Sequence, residues 1–268
     1  MTYSVFGASG FIGRHLVSHL RHVGEEVYVP PRDLADLPLN KHLGNIIYAI
    51  GMTANFRGRP FETVESQVGI LSEILRSCNF DSLLYLSSTR VYQDADGGAE
   101  NTRVVIEPTE PSSIYNLSKL LGESLCQLAG VGVTRVARLS NVYGLGMPPE
   151  NFLHQISRSA LDSGVIRLAS ALDSAKDYVA IEDAARLICQ IAGRGQHSIY
   201  NVASGCNTSH QRIIELMREQ VDFELEVEEG AARQNFPSVN IDLARAEFGY
   251  EPVSIDVGFG VYLRSLLS

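Results

Sequence analysis

The stretch Gly7-Ala8-Ser9-Gly10-Phe11-Ile12-Gly13 sets three glycines at the spacing GxxGxxG. It follows an apolar, strand-like run at residues 3–6 and opens a helical pattern over 12–23. In that setting each glycine has a task. Gly7 permits a tight turn, Gly10 lets the backbone approach a pyrophosphate, and Gly13 lets helix and strand pack closely. The helix N-terminus then offers free N–H groups and a partial positive charge to phosphate. A nucleophile elbow, GxSxG, does not fit, because Phe11 takes the place of its last glycine. A glycine-rich turn without a ligand is the bland alternative.

Outward from this loop, apolar runs recur at 27–29, 46–50, 83–86, 133–139 and 199–202, with helical patterns over 62–78, 113–129 and 182–191 between them. Strands alternating with helices predict an α/β fold with a Rossmann-type, doubly wound parallel sheet covered on both faces. The runs are nearly continuous rather than alternating, as strands buried on both sides require. Residues 32–45 leave little room for a helix and a further strand, so one unit of the winding is expected to be trimmed. Residues 1–150 read as the dinucleotide-binding domain, with returns to it near 177–203. Residues 151–268, with helical segments near 151–163, 208–220 and 255–267, read mainly as a small C-terminal substrate-binding lobe.

Composition narrows the function. The 268 residues carry 31 acidic against 22 basic side chains, a net charge of −9, which disfavours nucleic-acid binding through phosphate neutralisation. No apolar run approaches the roughly 20 residues of a membrane helix, and Met1 is followed at once by a strand-like run, so a cytoplasmic protein without a membrane partner is expected. Cys78, Cys126, Cys189 and Cys206 form no CxxC pair, and His15, His19 and His22 are expected on a solvated helix face, so no metal is expected.

Two further segments carry chemistry. Tyr115-Asn116-Leu117-Ser118-Lys119 puts a phenol and an amine on one helix face. An ammonium beside a phenol lowers its pKa from about 10, which suits proton exchange with a hydroxyl or carbonyl. Leu86-Ser87-Ser88-Thr89-Arg90-Val91-Tyr92 lies at the end of the fourth apolar run, where such sheets bind ligands. Past the second run stands Pro31-Arg32. NAD users of this fold place an acidic residue near there and NADP users an arginine, which favours NADP with NAD open. A solvated surface arginine is the alternative.

With these segments in order, the chain resembles the extended short-chain dehydrogenase/reductase superfamily, the NAD-dependent epimerase/dehydratase family that modifies nucleotide sugars. "FGASGFIG", "YNLSK", the "SS…VY" signature, Arg138-Leu139-Ser140-Asn141-Val142-Tyr143-Gly144, Lys176-Asp177-Tyr178-Val179, 200–205 and 241–252 carry the resemblance over nearly the whole chain. It implies Tyr115 as acid/base, Lys119 and Ser88 as its catalytic partners, and cofactor contacts from Gly7, Gly10, Phe11, Ile12, Gly13, Arg32, Ile50, Gly51, Tyr115, Lys119, Leu139 and Ser140. Substrate contacts fall to Ser88, Thr89, Arg90, Asn141, Asn151, Lys176 and Arg233, with Asn235 near a ribose. Family members that dehydrate sugars carry Asp-Glu where Thr89-Arg90 stand, which disfavours a 4,6-dehydratase. A keto-sugar reductase is favoured over an epimerase that retains its cofactor. A non-catalytic NADP-binding regulator or scaffold, and an enzyme reducing a non-sugar carbonyl, stay open. Pairing of the helices at 62–78 and 113–129 across a two-fold axis implies a homodimer.

Overall fold

The computed structural model describes every residue except 39, 54, 131, 132, 235 and 268. The first half runs β1 (Thr2–Phe6), α1 (Phe11–His22), β2 (Glu26–Tyr28), β3 (Asn45–Tyr48), α2 (Pro60–Val64), α3 (Ile70–Ser77), β4 (Ser82–Ser88), α4 (Ser113–Ala129) and β5 (Thr134–Leu139). It continues through β6 (Asn141–Tyr143), α5 (Phe152–Ser163), β7 (Val165–Ser170), β8 (Ala175–Ala180), α6 (Ile181–Arg194) and β9 (Ile199–Val202). The chain closes with β10 (Asn207–Ser209), α7 (His210–Arg218), β11 (Glu224–Ala232), α8 (Asp242–Phe248) and α9 (Ile255–Leu267).

The central sheet has the order β2-β1-β3-β4-β5-β9, and every pairing in it is parallel. Between β2 and β3 the described residues form only a single 3-10 turn, Leu34–Asp36, which is the trimmed unit expected from the short 32–45 segment. Strand order reverses direction between β1 and β3, so a crevice opens beyond the carboxyl ends of the strands at that point. The helix expected over 62–78 begins at Pro60, where proline's fixed φ and missing N–H suit a first turn. Residues Glu65–Gly69 widen into a π turn before α3.

Apolar stripes explain the layering. Leu16 and Leu20 of α1 and Leu187, Ile188 and Ile191 of α6 pack on one face of the sheet. Leu71 and Ile74 of α3 and Cys126 of α4 pack on the other, against Ile46, Tyr48 and Tyr85. A separate core joins Leu153, Ile156, Ile166, Met217 and Phe259 beside the central sheet. There β8 pairs with β6 and β10, and β7 with β11. Along α1, His22 is exposed as expected, whereas His15 and His19 are half-buried, and His15 Nδ1 meets the Phe11 carbonyl at 2.9 Å. Among the described residues no helix is long and apolar enough to cross a membrane.

Candidate active site

A cleft of about 720 Å³ opens at the crevice, bounded by the β1–α1 turn, the ends of β4 and β5, α4 and the β8 segment. That is a normal size for a small-molecule or cofactor site. The glycine turn forms its floor. Gly7 has φ +80°, and a Cβ there would lie 2.7 Å from the Ala49 carbonyl oxygen. At Gly13 a Cβ would overlap the Gly7 carbonyl. Gly10 caps α1 with extended backbone and no side-chain bond, so the first N–H groups of the helix are left for a ligand. Gly10, Phe11, Ile12 and Gly13 all line the cleft, as do Ile50, Gly51, Leu139 and Ser140. This bare cradle fits the pyrophosphate of a dinucleotide.

Across the cleft, β4 and α4 bring Ser88, Tyr115 and Lys119 together. Ser88 closes β4 and caps the 3-10 turn Thr89–Tyr92, accepting from Arg90 N at 3.2 Å. Its hydroxyl proton is thereby left to donate to the Tyr115 phenol oxygen. Tyr115 is buried against Phe56, with ring centroids 5.2 Å apart, and the Arg90 guanidinium carbon stands 5.9 Å from its ring centre. Burial raises its pKa above the usual phenol value, while the Ser88 bond and the Arg90 charge pull it back.

This corrects the expected role of Lys119. The i, i+4 spacing does put amine and phenol on one cleft-facing surface, but Nζ donates to the Leu86 carbonyl at 2.9 Å and sits 5.0 Å from the Tyr85 ring centre. The cation that favours the Tyr115 phenolate is Arg90. Burial drives Lys119 itself down to about 7, against the pull of Glu123. Gly51 lies beside the amine, where any side chain would come within 3.3 Å of Nζ, so the approach to Lys119 stays open.

On the substrate side, Thr89, Arg90, Asn141, Asn151 and Lys176 also line the cleft. The two asparagine amides serve the backbone: Asn141 Nδ2 donates to the Asp177 carbonyl at 2.8 Å, and Asn151 Nδ2 to that of Val142 at 3.1 Å. Asn151 Oδ1 also caps α5 through Leu153 N at 3.0 Å. Arg233 is not brought to the cleft. It is exposed and pairs with Asp173 at 3.2 Å, because the end of β11 turns it to solvent. Arg32 is likewise exposed beyond β2 and outside the lining. Asn235 lies outside the described residues.

Sequence reasoning missed Phe56, Phe236, Pro237, Asn207 and Asp177 in the lining. Asp177 had a signal, since it adjoins Lys176 in a quoted motif. The others sit in segments without periodicity. Among the described lining residues Asp177 is the one carboxylate, and it is held by Ser204 N at 2.9 Å, Ser204 Oγ at 2.8 Å and Cys206 N at 3.0 Å.

The family model described as "NAD dependent epimerase/dehydratase family" matches residues 3–203. No curated protein sequence matches. Among solved structures, the chain is similar to MoeE5 in complex with UDP-glucose and NAD, with TM-score 0.83 and 20% identity over 100% of both chains. It is similar to RMD from Pseudomonas aeruginosa complexed with NADPH, with TM-score 0.79 and 23% identity over 98% of both. UDP-glucuronic acid 4-epimerase from Bacillus cereus, in complex with UDP-glucuronic acid and NAD, gives TM-score 0.79 and 17% identity over 99% of this chain and 100% of that one.

Proposed function

The chain belongs to the NAD dependent epimerase/dehydratase family, and from that premise we propose that it is an NADP-dependent keto-sugar reductase acting on a nucleotide-activated sugar. When bound, the nicotinamide supplies a hydride to the sugar carbonyl carbon. The residues of this chain do the rest. The glycine turn and the α1 N-terminus hold the pyrophosphate, and Lys119 is placed to bind the nicotinamide ribose once its amine leaves the Leu86 carbonyl. Ser88 orients the carbonyl oxygen, and Tyr115 gives it the proton that balances the hydride. The carrying observation is that Ser88, Tyr115 and Lys119 line one cleft at the carboxyl end of β4. Asp177, the one described carboxylate of the lining, is spent on backbone and Ser204. Elimination of water from a sugar would call for a further acid and base beside Tyr115, and no free carboxylate among the described lining residues supplies them.

An epimerase would use the same residues and return the hydride to the opposite face. The solved NAD complexes among the neighbours favour keeping it as the second reading. A non-catalytic regulator would have no need of Ser88, Tyr115 and Lys119. A screen of keto-sugar nucleotides for NADPH oxidation, and for interconversion without net oxidation, separates the two enzymatic readings. On whichever substrate is turned over, Tyr115→Phe should lower the rate by about 10²–10⁴ with the fold intact. Full activity in that variant would remove the active site described here.

The partner expected is a second copy of the chain. Leu117, Leu121 and Leu128 make an exposed stripe on α4, and Phe61 on α2 is 85% exposed. Two such faces would bury each other's apolar surface. Light scattering at micromolar concentration should give twice the chain mass, and a monomer would refute the assignment.

A further inference from the structure

We propose that Arg90 binds a carboxylate carried by the reacting sugar, so that the substrate is a nucleotide-linked sugar acid. The inference rests on the nucleotide-sugar reading above and narrows its substrate class.

Arg90 is fastened by its main chain. Its N–H donates to Ser88 Oγ at 3.2 Å, and its carbonyl accepts from Asn116 Nδ2 at 3.3 Å. The guanidinium carbon then stands 5.3 Å from the Phe56 ring centre and 5.9 Å from that of Tyr115. The head group is therefore held at the reacting end of the cleft, near two aromatic rings. It is half-buried, and Nε is buried without a hydrogen-bond partner. A buried donor with no acceptor is rare and costly.

The charges around it deepen the deficit. Arg57 repels Arg90, and Arg90 in turn repels Lys176, which lines the same cleft. Tyr115 and Asp94 attract it, but Tyr115 is a phenol whose pKa burial raises, so it stays neutral, and Asp94 is exposed. Among the described residues no ion pair involves Arg57, Arg90 or Lys176. Burial lowers the pKa of both Arg90 and Lys176. A desolvated cation left unpaired is destabilising, and a ligand anion removes that cost.

The cations divide by position. Lys176 lies 5.7 Å from the Phe236 ring centre and suits a diphosphate as a point charge. Arg90 shares its ring contacts with the acid/base itself. Its planar fork matches the two in-plane oxygens of a carboxylate.

The test uses the cofactor-saturated protein and calorimetric titration with two matched pairs: UDP-glucose against UDP-glucuronic acid, and GDP-mannose against GDP-mannuronic acid, with UDP and GDP alone alongside. In at least one pair the acid should bind about 10- to 150-fold more tightly than the neutral sugar, the range of a charge-assisted bond. Arg90→Gln should collapse that preference to below about threefold, and Arg90→Lys, which keeps the charge and loses the fork, should fall between. The lysine variant also guards against misfolding of the glutamine one, with the Tm of each as a check. Equal affinity within every pair that binds, or a preference that survives in Arg90→Gln, overturns the carboxylate assignment and leaves the nucleotide-sugar reading standing. If no sugar nucleotide and neither diphosphate binds, that reading fails and the inference falls with it.

Discussion

Two buried cations lie against helix α4, and they are kept in opposite conditions. Arg138, on β5, grips Glu123 with Nη2–Oε2 at 2.6 Å and Nε–Oε1 at 3.0 Å, and also donates to the Tyr92 hydroxyl at 2.8 Å. Ser87 donates to the same carboxylate at 2.5 Å, and Tyr92 passes the chain on to Asn201 at 2.9 Å. Burial pulls the Arg138 pKa down, but the bonds and charge of Glu123 more than reverse this and leave it raised. Lys119, one turn before Glu123 on α4, has a carbonyl and a ring for company and is pulled down to about 7. One region is a closed network that straps α4 to β4 and β5. The other is an open valence facing the cleft. Satisfied buried charge here joins elements of structure, while the under-paired buried charge is left facing the cleft.

The largest effect that could break this contrast is on stability. Arg138→Met would leave Glu123 buried without its partner, which costs about 3–5 kcal/mol for a broken buried pair. Replacing both, Arg138→Met with Glu123→Leu, should recover much of the loss, since a well-packed apolar pair often equals a buried ion pair. Urea unfolding measures both. A single variant within about 1 kcal/mol of the parent would show that the strap holds nothing.

How much of this contrast the chain discloses by itself depends on what each feature is made of. The glycine turn and the Tyr115–Lys119 pair are local patterns pinned to the end of a strand or to one helix face, so spacing finds them, whereas Ser88 is found through the resemblance of its segment to the family's signature. Spacing cannot say that Lys119 bonds the Leu86 carbonyl, nor that burial raises the Tyr115 pKa against the pull of Ser88 and Arg90. Phe56 and Phe236 reach the cleft from irregular segments, and no periodicity marks them. The Glu123–Arg138 strap joins a helix to a strand, a contact that only the packing of α4 on the sheet creates. Arg233 shows the reverse error: a position near a family arginine whose side chain meets Asp173 in solvent instead.

A second effect, smaller, sharpens the Lys119 side of the comparison. Burial pushes its folded pKa down to about 7, below the ordinary lysine value of 10.5. Between those values the unfolded chain holds a proton that the folded chain has released. Stability from this group therefore rises with pH from about 7 to about 10.5, and below 7 the burial penalty is fully present. Lys119→Met keeps the length and removes the charge, so without cofactor its Tm should exceed the parent's by about 2–4 °C per kcal/mol recovered at pH 6. The gap should close towards pH 10, while turnover collapses at every pH. A gap that is absent, or that widens as pH rises, would show that Lys119 is not held under penalty.

Arg32 offers a third cation, neither strapped nor buried, and the smallest expected effect. It stands in solvent after the short strand β2, outside the cleft lining. If it serves the 2′-phosphate of NADP, it does so as an exposed charge. A charge-assisted bond is worth about 1.5–3 kcal/mol, and solvent exposure places this one towards the low end. NADPH should then bind about tenfold more tightly than NADH, and Arg32→Ala should erase the difference by weakening NADPH alone. Salt distinguishes this cation from the two buried ones. Exposed pairs are screened within about 8 Å at physiological ionic strength and about 3 Å at 1 M, so the NADPH preference should shrink across that range. The stabilities tied to Arg138 and Lys119 should change far less, since their partners lie inside the protein. Equal affinities for the two cofactors in the parent, measured by fluorescence titration at low salt, would return Arg32 to the solvated surface.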